Sequence, residues 1–226
     1  VDRQEPNATS TVSSVHIKSL SSRTDRADPK YLVAWVHGAQ LHLAHGNIAD
    51  GFAKLGLATE AAATVNLAVH HGHACAAYHP AAAAEDRHEV VVECSACTAK
   101  NCNTWHSLGV AIEAAAVVER LDVEVVMTDD GKVVVAGRKV GSPNVLAVRW
   151  HEVPPVPAPH AAAPATGAWR TTGNSTMSVS AHGWTQADLK LENTITHFEL
   201  GSSGNAVYVV ISENGGEGIR VMQVAL

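Results

Sequence analysis

The spacing of apolar and polar positions changes several times along the 226 residues, and each change predicts a different element. Residues 1–28 mix Ser, Thr, Asp and Arg without a period and read as an extended arm. From Pro29 onward, Leu32, Trp35, Val36, Ala39 and Leu43 recur at the i, i+3/i+4, i+7 spacing of an amphipathic helix, which Gly46 would end. A short helix is expected over 48–55. A longer one follows Thr59 and runs through Ala62, Val65, Leu67 and Val69 toward Tyr78.

The period then shifts. Residues 88–93 form a β-branched run of strand length, and 103–121 return to helical spacing with Thr104 as the cap. Val123 to Met127 and Lys132 to Val135 flank Asp129-Asp130-Gly131, a strong hairpin signal, and a further strand is expected over 144–150. Five prolines between Pro154 and Pro164 forbid a helix and favour an extended path. Beyond them the pattern is β throughout, ending in a hairpin of 206–211 with 218–226. The expected fold class is α+β. A mixed helix/sheet domain spans 29–152, a Pro/Ala-rich linker 153–167, and a small antiparallel β module 168–226.

Composition narrows the function classes. Charged residues make up only 17% of the chain, with a net charge of −6 and no Lys/Arg run, so the electrostatic footprint of a nucleic-acid binder is missing. No apolar window is long enough for a membrane-spanning helix. The first residues lack both an initiator Met and a hydrophobic signal core, which reads as a processed chain or a piece of a longer one.

Chemistry, if present, belongs to one region: all four cysteines and nine of the fourteen histidines fall between His37 and His106. The tight cysteine spacing suggests reduced thiols or a metal site, and hence a reducing intracellular location or a virion. Cys94-x2-Cys97-x4-Cys102-x3-His106 resembles a zinc knuckle with its last two ligand types exchanged. These four residues are the candidate zinc ligands.

The segment His73-Ala74-Cys75, followed by Glu93-Cys94-Ser95-Ala96-Cys97, also resembles the signature of zinc-dependent nucleoside and nucleobase deaminases. That resemblance implies His73, Cys94 and Cys97 as zinc ligands, which makes His73 the alternative ligand. Cys75 stands where the family has its proton-shuttling Glu, and Glu93 where it has Pro. The pairs His42/His45 and His70/His73 share helical faces as drawn, and serve either as metal pairs or as partly buried histidines.

Familiar nucleophile, phosphate-binding and dinucleotide motifs are missing, so the enzyme reading is disfavoured and no cofactor besides zinc is expected. The charge-poor, Ala/Val-rich composition and the polar arm favour a structural or assembly subunit. A viral or virus-like capsid protein is its concrete form, with copies of itself or other chains of a larger assembly as partners. The alternatives are a zinc-binding protein and a two-module binding protein.

Overall fold

In a computed structural model of the chain, the described residues are 12–20, 30–55, 62–70, 72–80, 89–97, 102, 105–113, 118–139, 141–153, 178–179, 183–214, 218–224 and 226. Among them every regular element is a β-strand, so the α+β expectation is corrected to an all-β fold.

Sheet I is the meander β1 (Val12–Ser19), β2 (Tyr31–His37), β3 (Gln40–Asn47) and β4 (Gly51–Leu55). Sheet II repeats the plan with β5 (Ala62–His70), β6 (His73–Pro80), β7 (Val90–Ala96) and β8 (Trp105–Ile112). Then follow β9 (Val118–Met127), β10 (Lys132–Lys139), β11 (Val145–Glu152), β12 (Ser178–Val179) and β13 (Thr185–Lys190), which form sheet III in the order β12-β13-β11-β10-β9. Sheet IV is the meander β14 (Ile195–Ser203), β15 (Ala206–Glu213) and β16 (Ile219–Val224). All pairings are antiparallel.

The expected helices failed for a physical reason. Leu32, Ala34 and Val36 point inward on β2 while Tyr31, Val33, Trp35 and His37 point outward; because both sets are largely apolar, the period-2 signal is blurred. The chain reverses at Gly38 and Ala39, both at positive φ (58° and 61°), the geometry of a type I′ hairpin turn. Gly-Ala lacks the usual Asn-Gly signature, so the residues there carry no strong turn signal.

In sheets II and III the blurring is complete. Residues 74–79 of β6 and 132–137 of β10 are buried without interruption, because both faces of these sheets are covered. By contrast the hairpin around Asp129-Asp130-Gly131 forms as expected. Gly131 takes φ 84°, and the N–H of Gly131 donates to the Thr128 carbonyl at 3.1 Å.

The sheets stack in series. Leu32, Leu43 and Val36 of sheet I pack on Leu67, Ala74 and Tyr78 of sheet II. The other face of sheet II packs Ala77, Val92 and Ile112 on Val125, Val133 and Val135 of sheet III. The far face of sheet III packs Val134, Leu146 and Val148 on Ile195, Val209 and Ile211 of sheet IV. The first strands touch in order, β1 on β5, β5 on β9 and β9 on β14. The four antiparallel sheets thus repeat a similar plan and stack face to face with their first strands adjacent. Ala and Val dominate because two doubly covered sheets need small side chains on both faces.

Residues 1–28, expected to be an arm, contain β1, which pairs along its length with β2. Most of the proposed linker, residues 154–167, lies outside the described residues. Across it the ladder continues, since β13 pairs with β11 from Trp150↔Thr185 to Val145↔Lys190. Two contacts pin this return. Trp184 is fully buried against sheets II and III and donates its indole N–H to the Leu108 carbonyl at 3.0 Å. Asp188 bridges Lys139 of β10 (2.5 Å) and the buried Arg149 of β11 (3.0 Å).

Candidate functional site

The cysteine region is built on sheet II, and its sulfurs are paired. Cys75 and Cys94 face each other across β6 and β7 and form one disulfide, while Cys97 and Cys102 form the other. The expectation of reduced thiols is thereby corrected, and with it the reducing location inferred from them. A disulfide sulfur carries no thiolate charge to donate to zinc. The bridges also lie on opposite faces, Cys75–Cys94 toward sheet III and Cys97–Cys102 toward sheet I.

His106 sits on β8 directly across from Cys94, but exposed. His73 is half-buried at the start of β6, where burial lowers its pKa. Of the four proposed ligands the fold thus brings Cys94 and His106 to neighbouring positions and directs Cys97 and Cys102 away. Among the described residues no group of three or more His, Cys, Asp or Glu is placed to hold a metal ion. The deaminase layout, which needs its ligands at helix starts, finds strands in their place.

The histidine pairs are strand features too. His70 and His73 face each other across the β5–β6 turn. The Nε2 of His70 approaches Asp129 at 2.5 Å, and the Asp129 N–H donates to the Gly204 carbonyl, so turns of three successive sheets are joined at one end of the stack. His42 and His45 point to opposite faces of β3. His42 stacks on Trp35 with ring centroids 5.1 Å apart, and Lys54 and His37 join burial in lowering its pKa.

A second cluster was not legible in the sequence. It forms where the first strands β1, β5, β9 and β14 meet. The Ser14 hydroxyl donates to the Val65 carbonyl at 3.0 Å, and Asn66 donates to the Val123 carbonyl at 2.9 Å. Asn66 also hydrogen-bonds the carboxyl of Glu124, which Lys18, Glu199 and His197 influence electrostatically. Burial raises the pKa of Glu124 and Glu199 adds to the rise, outweighing the opposing pull of Asn66, Lys18 and His197. His16 is depressed by burial and then by Lys18. Polar positions on the first strands are the sequence signal, and they become readable only once the sheet repeat is recognised.

The third feature is at the ends of the stack. Among the described residues, sheets I and IV each have one face with no other sheet packed against it. The outer face of sheet I carries Val12, Val15, Ile17 and Phe52, between 49% and 60% exposed, beside Tyr31, Trp35 and His42. That of sheet IV carries Ile219 and Val221, 72% and 62% exposed, beside Tyr208 and Val210. Among the described residues the one other large exposed apolar side chain is Ile48, in the β3–β4 turn.

No protein-family model matches the chain, and no curated protein is significantly similar to it.

Proposed function

We propose that the chain is a structural, assembly-forming subunit whose partners cover the outer faces of sheets I and IV. Among the described residues, the confinement of large exposed apolar side chains to those two faces, with the turn residue Ile48 as the exception, carries the reading. Contiguous apolar patches of this kind mark interaction surfaces. A shell-forming or capsid subunit is the largest-scale form of the same reading. Two disulfides in a chain with no free cysteine support an oxidising compartment or a virion surface as its place of work.

Light scattering behind size exclusion tests the proposal on the oxidised protein. A mass above the 23.7 kDa of one chain is expected. A monomer that persists to high micromolar concentration refutes it.

A further inference from the structure

Beside the β3–β4 turn, at the end of sheet I, lies a cavity of about 450 Å³ lined by Lys30 and by residues of the two paired strands. That volume falls within the roughly 300–1,000 Å³ of small-molecule sites. Its lining combines a backbone floor, an aromatic wall and polar groups of both charges. The floor is Gly46, where a Cβ would lie 2.1 Å from the Gly51 carbonyl oxygen, so the strands approach closely only because position 46 has no side chain. Phe52, 49% exposed, supplies the wall.

Two of the polar groups have bonding capacity to spare. The buried Nδ1 of His45 has no hydrogen-bond partner among the described residues, and leaving a buried nitrogen unpaired is costly. Both contacts of the Asp50 carboxylate fall on Oδ2, which accepts from the Asn47 side-chain amide at 2.8 Å and lies 3.7 Å from the Lys30 ammonium. Among the described residues Oδ1 has no partner, on a side chain 77% exposed. The Asp50 N–H in turn donates to Oδ1 of the buried Asn47 at 2.5 Å, so this carboxylate is held in place before any ligand arrives.

We propose that the cavity binds a free α-amino acid with an apolar side chain. A fixed carboxylate with an open oxygen is a receptor for an ammonium group, and the Lys30 ammonium 3.7 Å away is one for a carboxylate. Opposite charges so close together suit a ligand that carries both on one carbon. A simple anion meets repulsion from Asp50, and a simple cation meets it from Lys30. The ligand's side chain lies against Phe52, and its polar end completes the bonding of His45 Nδ1. The site shares only Phe52 with the outer face assigned to partners, and binding is read directly, so it stands or falls apart from the assembly reading.

The experiment titrates the full oxidised chain with L-phenylalanine and follows the imidazole nitrogens by NMR. N-acetyl-L-phenylalanine and L-phenylalanine methyl ester serve as the anion-only and cation-only controls. Saturable binding of phenylalanine that shifts the His45 Nδ1 resonance is expected, with each control about tenfold weaker, the loss of one charged contact. Asp50→Asn keeps the size of a mostly exposed side chain and should weaken phenylalanine about tenfold, to the affinity of its N-acetyl derivative. The wild-type comparison needs no variant, so it decides even where the substitution disturbs the turn. An absence of saturable binding, binding that leaves the His45 Nδ1 resonance unmoved, or a control that binds as tightly as phenylalanine overturns the proposal. An Asp50→Asn variant that retains wild-type affinity overturns it as well.

Discussion

Removing the two disulfides separately gives a graded test of how each holds the fold. Cys75 and Cys94 lie 19 residues apart in sequence, whereas Cys97 and Cys102 are separated by only 5. A cross-link acts mainly by restricting the unfolded chain, and its contribution grows with the logarithm of the loop it closes. On that basis the longer loop contributes about 3 kcal/mol and the shorter about 2 kcal/mol. All four sulfurs are buried, so replacing either pair by alanine removes similar packing, and the difference of about 1 kcal/mol survives the comparison. The assay is urea unfolding of Cys75→Ala/Cys94→Ala and Cys97→Ala/Cys102→Ala at pH 7. The midpoint should fall further for the first variant. Its slope should rise more as well, because a larger loop is freed in the unfolded state. For a chain of this length each kcal/mol lowers Tm by about 2–4 °C. A Cys97/Cys102 variant that loses as much stability as the Cys75/Cys94 variant would refute the loop-entropy argument and place the effect in native packing.

Three further outcomes are expected. Asp188→Asn leaves the 4%-exposed guanidinium of Arg149 without its carboxylate and should cost about 2–3 kcal/mol at neutral pH, below the range for fully buried pairs because Asp188 is partly solvated. Burial works to raise the Asp188 pKa, but Lys139 and Arg149 together hold it below 3.8, so its contribution is present above that pH and lost as pH falls through the folded value. Unfolding at pH 7 and pH 3 should therefore show the variant's deficit shrinking in acid. Glu124 has the opposite sign: its folded pKa is raised above 4.5, so its contribution is present in acid and lost as pH rises. Glu124→Gln should match wild type near pH 4 and unfold at higher urea concentration at pH 7; an unchanged midpoint at both pH values would contradict the burial of that carboxyl. Gly46→Ala places a Cβ 2.1 Å from the Gly51 carbonyl oxygen and 2.8 Å from the Phe52 Cα, forcing β4 away from β3. A loss of about 1–3 kcal/mol is expected, with hydrogen exchange accelerated first in β4.

What could be read from the sequence depended on whether a strand had one wet face. The hairpin at Asp129-Asp130-Gly131 was legible from its turn residues, although β10 is buried on both faces, and β15 from the half-exposed alternation along it. β5 and β6 were not. Sheet II is covered on both sides, so Ala74 to Tyr78 shows no period, and an unbroken apolar run of that length fits a helix as well. The short-range cysteine spacing was visible, but not its outcome. Cys94 lies within β7 opposite Cys75, whereas Cys97 lies just past the end of that strand and pairs with Cys102, so the two take different partners.

The sequence by itself determined a charge-poor, apolar-rich chain with its cysteines and most of its histidines in one region and no nucleic-acid signature. Those properties follow from composition and do not depend on how strands pair. Only the tertiary structure decided that the class is all-β, that Lys18, Asn66, Glu124 and Glu199 come together where the first strands adjoin, and that, among the described residues, one face each of sheets I and IV has no other sheet packed against it. Each depends on contacts between residues some fifty or more positions apart, set by the stacking of one sheet on the next, and local spacing carries no record of that stacking.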